Sequence, residues 1–371
     1  MKKCGEAFVG IDTAKARNAV AVAEAARDGE VRYLGEIDNT VEAAAKLVRS
    51  LSGRYVKLYF CYEAGPTGYG LYRQLRALGQ DCIVVAPSLI PSRPGERVKT
   101  NRRDAVSLAR LLRANELTPV WVPDETHEAV RDLARTRCAA VADYRRKRQQ
   151  LSSFLLRHDR RFPGKPTWRG RHLRWLDCQN FAHPAQRLAF QEMLNSVRES
   201  AARLDRLEAA LAEIVPSWSM APVVAAFQAM RGVAFLTAVT LVVEAGDIRR
   251  FDNPRQLMAF LGLVPSERST GDARRRGGIT KTGNTRARKA LIEAAWTYRH
   301  AAGIGDKHQR RQVCLPQQVR EIAWKGQTRL CARYRRLAAK GKLLTVVVTA
   351  IAREMVGFLW AIAQHVEPAT T

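Results

Sequence analysis

The sequence lacks the features that mark secreted, disulfide-stabilised or membrane-spanning proteins. Its seven cysteines are scattered and form no C-x-x-C pair, so we expect free thiols in a reducing cytoplasm. The start, MKKCGEAFVGID, has no long apolar run of the kind found in secretory signals. Arg353 and Glu354 interrupt the most apolar late segment, which predicts a buried helix and no membrane partner.

Acidic residues are also scarce. The chain has 62 Lys and Arg against 35 Asp and Glu, which gives a net charge of +27. Residues 1–124 hold 19 basic and 14 acidic residues and the remainder holds 43 and 21, so the two parts carry +5 and +22. Such an excess predicts a polyanionic partner whose binding weakens as salt rises. Charge alone does not distinguish DNA from RNA.

The first 124 residues predict a mixed α/β domain. Short strand-like and helix-like runs alternate in the order β-β-β-α-β-α-β-α, which is typical of an RNase H-like (RuvC-like) fold. The predicted strands cover 7–12, 19–24, 31–37, 56–63 and 82–86, and the predicted helices cover 41–51, 69–79 and 101–115.

Residues 125–215 show a helical period instead. Two apolar stripes, from Val130 to Leu155 and from Leu194 to Ile214, predict two long helices joined by an Arg- and Trp-rich stretch. We expect a coiled-coil region that dimerises or binds RNA. An antiparallel hairpin, pairing with another subunit and core packing within one chain all fit the stripes.

Residues 216–371 predict a mostly helical C-terminal domain, so the whole chain is classed as α/β plus α. Within it, residues 230–241 resemble a helix-hairpin-helix, with Gly232 at the tight turn. Such a turn exposes backbone N–H groups to a phosphate, although a glycine there is equally typical of a helix C-cap.

Three acids occupy related places in the predicted N-terminal domain. Asp12 ends the first strand, Glu63 ends the fourth, and Asp104 lies one turn into the last helix. Carboxylates that converge repel each other unless a cation joins them, and Mg²⁺ prefers such oxygen ligands. The alternative to a metal site is that Asp12 and Glu63 only terminate their strands. In the same way, Asn101 and Asp104 would be the N-cap of the helix and its N3 partner.

Residues 261–291 carry a second candidate site. A hydroxyl pair, Ser269 and Thr270, lies among eight Lys or Arg and five Gly, opposed by two acids, Glu267 and Asp272. Glycines let backbone N–H groups approach an anion, so the segment is predicted to hold a phosphodiester against a hydroxyl. A solvated basic loop that only grips phosphate is the alternative.

Basic side chains around both candidate sites are expected to contact nucleic acid. The predicted set is Arg102, Arg103, Arg274, Arg275, Arg276, Lys281, Arg286 and Arg288.

The motifs FVGIDTAK, CYEAGPTGYG, VKTNRRDA, GLVPSERSTG and GGITKTGNTRARKALIEAAW follow one another along the chain. Together they resemble the motifs of bacterial insertion-sequence transposases that join a RuvC-like DEDD domain to a C-terminal serine transposase domain. The resemblance covers nearly the full length. It implies a recombinase guided by a non-coding bridge RNA, which brings donor and target DNA together in a tetramer built from dimers. It also implies a composite site that unites acids and hydroxyl.

Carried over from the resemblance, the DEDD positions fall on Asp12, Glu63, Asn101 and Asp104. The third is an amide here, which implies a weaker second metal site or a single Mg²⁺. The nucleophilic serine of that family precedes a glycine, and this position is Thr270, with Ser269 one residue earlier. We place the nucleophile at Thr270 by register and keep Ser269 as the alternative.

Two other functions fit parts of the sequence. A metal-dependent nuclease or junction resolvase would use the acids and water and form no covalent adduct. A catalytically decayed RNA-binding regulator would explain Asn101 and Thr270 as departures from an active enzyme.

Overall fold

The computed structural model describes residues 4–26, 29–91, 100–270 and 273–369. Part of the motif VKTNRRDA, together with Gly271 and Asp272, lies outside the described residues. The chain divides into two compact units, Met1–Val122 and Pro123–Thr371.

Unit 1 is built from strands and helices in the predicted order. Its described elements are β1 Cys4–Asp12, β2 Arg17–Glu24, β3 Val31–Asp38, α1 Val41–Ser52, β4 Tyr55–Glu63, α2 Gly70–Ala77, β5 Asp81–Val85 and α3 Asn101–Arg113.

The five strands form one mixed sheet in the order β3-β2-β1-β4-β5. β1 is parallel to β4 and antiparallel to β2, and β4 is parallel to β5. Because side chains alternate along a strand, each strand contributes to both faces. Val9, Ile11 and Phe60 pack on the face covered by α1 and α2. The predicted mixed sheet is therefore confirmed.

The opposite face is covered by α3. Small side chains of β2 pack there against Ala105 and Ala109 of the helix, and Cys61 packs against Leu108. Gly10 makes the approach possible, because a Cβ atom on it would lie 2.4 Å from both the Ala105 oxygen and the Ala109 nitrogen. The position and depth of α3 thus depend on this glycine.

Unit 2 is mostly helical, as predicted. Its described elements are α4 Glu125–Arg157, α5 Arg171–Asp177, α6 Pro184–Ile214, α7 Ala221–Phe227, α8 Phe235–Ala245, α9 Pro254–Phe260, β6 Pro265–Thr270, β7 Ala273–Ile279, α10 Thr285–Ala295, α11 Asp306–Arg310, α12 Gln317–Ala339 and α13 Leu344–Ala363.

The long helices α4 and α6 pack against each other within one chain. Val130 of α4 shares a core with Leu211 of α6, whereas Leu151 and Phe154 of α4 share another with Phe190. The start of α4 therefore meets the end of α6, and the two helices are antiparallel. Their stripes are used for packing inside the chain, and pairing with another subunit stays a prediction.

The base of this helix pair and the C-terminal helices share one core. α13 is long and apolar enough to cross a membrane by length and composition. Its side chains Val347, Ile351, Met355 and Leu359 are nevertheless buried in that core. Packing inside the protein thus accounts for its apolar character, in agreement with the predicted buried helix.

Six cysteines are described as free thiols, of which Cys61, Cys82 and Cys331 are buried.

Candidate functional site

Asp12 and Glu63 lie side by side at the carboxyl edge of the sheet. Each is one residue beyond the parallel pair Ile11–Tyr62, and neighbouring strands are about 4.8 Å apart. Asp12 lies two residues after Gly10, and Glu63 lies two residues after Cys61. Side chains two residues apart in a strand point to the same face, so both acids project toward the face that α3 covers. Both are half-buried.

Asp104 reaches the same corner from the helix. It precedes Ala105, whose backbone oxygen lies over Gly10, two residues before Asp12 in β1. Asp104 is half-buried at the N-terminal end of α3. Asp12, Glu63 and Asp104 thus lie on neighbouring elements, two strand ends and the helix that covers them, and we call this part of unit 1 the acidic corner.

Asn101 is placed differently. The capping explanation is wrong, because Thr100 is the N-cap and its side chain accepts a hydrogen bond from the Arg103 backbone N–H at 3.3 Å. Asn101 is the first helical residue and is exposed. Asn101 is therefore not the N-cap of α3, and Asp104 lies four residues after the cap that is observed.

The donor chemistry of the acidic corner fits Mg²⁺, which takes carboxylate oxygens and usually keeps water and substrate phosphate among its ligands. Across the described ranges, no three His, Cys, Asp or Glu side chains form a group that could hold a metal ion. The three acids therefore do not form a metal-binding group by themselves, and an ion held by Asp12 and Glu63 would need further ligands such as phosphate and water.

Two hydrogen-bond networks fix the loops next to these acids. Thr13, after Asp12, accepts a hydrogen bond from the hydroxyl of Thr67 at 3.1 Å, which joins the loops after β1 and β4. Buried Asn18 accepts from the Ala14 N–H at 3.1 Å and donates to Asn39 at 3.1 Å. Both networks limit how far the carboxyl edge can move.

The two predicted arginines beside the acids are both exposed. The guanidinium of Arg102 lies 5.3 Å from the ring centre of Tyr33 in a cation–π contact. Arg103 is exposed in the first turn of α3. Both side chains thus lie at the surface of unit 1.

Ser269 and Thr270 end the first strand of an exposed hairpin, β6–β7, where the sequence analysis predicted no strand. Ser269 lies opposite Arg274 and Thr270 opposite Ala273. Side chains alternate along a strand, so the two hydroxyls project to opposite faces of the hairpin. Ser269 shares its face with Glu267, which forms an ion pair with Arg276 at 3.5 Å.

The predicted role of the segment's glycines is wrong for two of the five. Gly262 and Gly283 have φ of +63° and +70°, and a Cβ atom on either would meet the backbone oxygen of Thr282 or Phe260 within 2.1 Å. They close the base of the hairpin on the protein's own backbone and leave no space there for an anion.

Arg288 also stabilises the base of the hairpin. It is buried, and its guanidinium donates to the backbone oxygens of Leu261 at 2.9 Å and Thr282 at 2.8 Å. It thus ties together the chain segments before and after the hairpin. This is a structural role, and it does not fit the predicted contact with nucleic acid.

The other predicted basic residues of this segment are exposed, namely Arg274, Arg275, Arg276, Lys281 and Arg286. Lys281 has φ of +58°, in the left-handed region that favours glycine, and its N–H donates to the Gly262 oxygen at 3.1 Å.

Gly232 lies in the predicted turn between α7 and α8 with φ of +83°. A Cβ atom there would lie 2.3 Å from the Ala294 oxygen and 2.7 Å from the Thr297 hydroxyl. Close packing on the end of α10 therefore accounts for this glycine without a bound phosphate.

Glu244 holds the loop that follows the hairpin. Its buried carboxylate accepts two hydrogen bonds from Arg135 at 2.9 and 2.8 Å and one from the Asn284 side chain at 2.5 Å. Asn284 in turn caps α10 by accepting from the Ala287 N–H. Burial alone would raise the pKa of Glu244, but the hydrogen bonds from Arg135 and Asn284 hold that pKa below its ordinary value.

Sequence reasoning did not identify Gly10, Asn18 or Glu244. For Glu244 a signal exists, because it is the one charged residue in the mostly apolar helix FLTAVTLVVEA, and a buried charge needs a partner. For Gly10 the signal is weaker, since a glycine inside a strand indicates a close backbone approach without naming the neighbour.

Comparison with known proteins identifies two family segments. Residues 224–311 match the family described as transposase IS116/IS110/IS902, and residues 9–158 match the DEDD transposase family of the IS110 type. The chain is 56% identical to y4qE, a Sinorhizobium fredii protein named as a transposase, over 99% of this chain and 90% of that protein. It is 32% identical to the transposase for insertion sequence element IS1533 of Leptospira borgpetersenii, over 91% of this chain and 98% of that protein.

Proposed function

Because the chain belongs to the IS110 family of insertion-sequence transposases, which cut and rejoin DNA, we propose that the acidic corner and a hairpin hydroxyl are both required for one phosphoryl-transfer reaction. The observation that carries the first half is the adjacency of Asp12 and Glu63 on parallel strand ends, both facing α3. We further infer that unit 1 is RNase H-like, since its strand order and element order fit that fold.

Asp12 and Glu63 would hold Mg²⁺, with Asp104 as the third carboxylate near it. When bound, the ion would neutralise charge on the scissile phosphate and on the oxygen that leaves. The carboxylates would orient the ion, and the loops that follow them are joined by the Thr13–Thr67 hydrogen bond. Asn101 is exposed and uncharged, which favours a metal site with fewer protein ligands than a full set of four acids.

The hairpin would supply the nucleophile. The hydroxyl oxygen of Thr270 attacks the scissile phosphorus, a new phosphorus–oxygen bond forms, and the bond to the deoxyribose 3′ oxygen breaks. The hydroxyl proton passes through solvent to that leaving oxygen. The DNA 5′-phosphate is then covalently attached to the protein, and the reverse step on another strand end rejoins the DNA.

Charge around the hydroxyls supports this role. Arg268 and Arg275 are cross-strand partners, and Ser269 lies opposite Arg274, so guanidinium groups flank both faces of the hairpin near its end. Cations placed where negative charge develops stabilise a phosphoryl-transfer transition state. Ser269 stays the alternative nucleophile, because it lies one residue away on the other face.

We also propose that a structured non-coding RNA guides the reaction and that the active species is an oligomer assembled on donor and target DNA. The support is the family membership together with the basic excess of +22 on residues 125–371.

The experiment is strand exchange between element ends and a target, in the presence of Mg²⁺ and RNA transcribed from the DNA flanking the gene. We expect wild-type protein to cut and rejoin, and Asp12→Asn and Glu63→Gln to do neither while unfolding at the same temperature as wild type. A Ser269→Ala/Thr270→Ala double variant should also be inactive. Cutting by that double variant would instead indicate a hydrolytic nuclease that uses water.

A further inference from the structure

An open basic cleft lies on unit 2, and it contains no residue of the hairpin. Two adjoining cavities of about 380 and 390 Å³ share Arg329, Arg333 and Glu354. Ala332 and Arg336 complete the first cavity, and Pro254, Arg255, Met258, Ala350 and Arg353 complete the second. We call this the arginine cleft.

Three helices contribute the cationic groups. Arg329, Arg333 and Arg336 follow one another at i, i+4 and i+7 on α12, so they lie on one face of that helix. Arg353 comes from α13 and Arg255 from α9. The arrangement of α13 and the segment before α9 is fixed by the Trp360 indole, which donates to the Phe251 oxygen at 2.8 Å.

One carboxylate orients two of these guanidinium groups. Glu354 is 18% exposed, and its Oε2 lies 2.8 Å from Nε of Arg333. Its Oε1 forms an ion pair with Nε of Arg329. In the part of the chain that the structure describes, the Arg333 Nε contact is an ion pair without a hydrogen bond, and the terminal nitrogens of both arginines donate no hydrogen bond. The terminal nitrogens of both arginines thus keep their hydrogen-bonding capacity for a ligand.

The charges in the cleft are not balanced. Five arginines face one glutamate, which leaves four positive charges around one opening. Like charges gathered at this density repel each other unless an anion lies among them. Pockets for small organic ligands are lined mainly by apolar side chains, whereas half of this lining is arginine. Arginine presents a planar fork of donors that matches a phosphate.

We propose that the arginine cleft binds the phosphodiester backbone of a nucleic-acid strand and is a second phosphate-contacting surface of unit 2. The proposal rests on the proposed function, which it deepens by adding a strand-holding site that takes no part in bond breaking. Duplex DNA and single-stranded RNA offer the same phosphodiester chemistry, so both are used as probes.

The test measures binding of the full-length chain to a 30-base-pair DNA duplex and to a 30-nucleotide RNA, as a function of salt. Arg329→Gln/Arg336→Gln removes two cleft charges. Arg320→Gln/Arg335→Gln is the matched control, because both residues are exposed on α12 and neither lines the cleft. Each double variant lowers the net charge by the same amount.

The cleft variant should flatten the slope of log affinity against log salt by about 1.8 on duplex DNA or by about 1.4 on single-stranded RNA, the values for two lost phosphate contacts. The control should flatten it by less than half as much. A change confined to one probe assigns the site to that nucleic acid. Arg329→Lys/Arg336→Lys should keep most of the wild-type slope.

Equal slopes for the cleft and control variants on both probes would overturn the proposal, as would a lysine variant as impaired as the glutamine variant. This result does not depend on DNA cleavage. A cleft effect in a protein that never cuts DNA would therefore uphold the cleft and count against the proposed function alone.

Discussion

Glu244 shows how one residue can link distant parts of a chain. Its partners Arg135 and Asn284 lie 109 and 40 residues away in sequence, and the carboxylate joins α4, α8 and the N-cap of α10. The Glu244 side chain is 1% exposed, so removing one partner leaves a buried polar group without its bonds. The sequence signals that this acid needs a partner, but helical periodicity does not say which one.

Replacing Glu244 with Ala should lower the free energy of unfolding by about 2 kcal/mol. This is less than the value of roughly 3–5 kcal/mol for a fully buried pair, because the Arg135 side chain is 38% exposed and screened by solvent. The control is Glu293→Ala, which removes an exposed i,i+4 pair with Lys289 and should cost less than about 0.5 kcal/mol. Equal losses in urea unfolding would contradict the buried network.

The stabilisation by Glu244 should also depend on pH. Because the folded-state pKa is lowered, the unfolded chain takes up the proton first as pH falls. The advantage of wild type over Glu244→Gln should be complete above the ordinary glutamate pKa of about 4.3 and shrink below it. Urea unfolding at a series of pH values checks this, and a gap that widens toward low pH would contradict the assigned network.

At the scale of elements, the contact between β1 and α3 determines where Asp104 lies. α3 approaches β1 at Gly10, and the acids Asp12 and Asp104 lie just beyond that contact. Any side chain at Gly10 should push the helix away from the strand and with it Asp104 from the acidic corner.

Gly10→Ala should destabilise unit 1 by about 1–3 kcal/mol, the usual cost of overfilling a packed core, and should impair DNA cleavage. Gly5→Ala is the matched control in the same strand, because a Cβ atom on Gly5 would have no neighbour within 4 Å. Thermal unfolding and strand exchange are the measurements. If the two variants behave alike, α3 is not held at the depth described.

The hairpin β6–β7 shows why one element was missed. Its described residues are exposed from Ser266 to Thr270 and from Arg274 to Gly278, so neither strand has the alternation of apolar and polar residues that predicts a half-buried strand. The position of the hairpin is set at its base. There Gly262 and Gly283 pack against backbone oxygens, and Arg288 donates hydrogen bonds to backbone oxygens. Such closure depends on contacts that no local pattern records.

At the scale of the whole molecule, the sequence predicts which part of the chain is α/β and which part is helical better than it predicts how the helices pack. The eight elements of unit 1 follow the predicted order, because their apolar runs are separated by clear turn residues. In unit 2 the periodicity predicts helices, but not that the base of α4 and α6 shares a core with the C-terminal helices. The arginine cleft likewise depends on residues from three helices.

The charge distribution gives a prediction for the intact chain. Its affinity for duplex DNA should fall steeply with salt, by roughly 10³-fold or more between 50 and 200 mM if six or more phosphates are contacted. Fluorescence anisotropy measures this directly. A nearly flat dependence would mean that the +22 excess of residues 125–371 does not face the nucleic acid.

The central claim is that a hydroxyl of the hairpin becomes bonded to DNA. The most direct measurement is mass spectrometry of protein digested after reaction with element-end DNA, the flanking RNA and Mg²⁺. We predict a nucleotide attached through its 5′-phosphate to Thr270, or to Ser269, absent in Asp12→Asn. Efficient strand exchange with no nucleotide on either residue, or with the adduct on another residue, would contradict it.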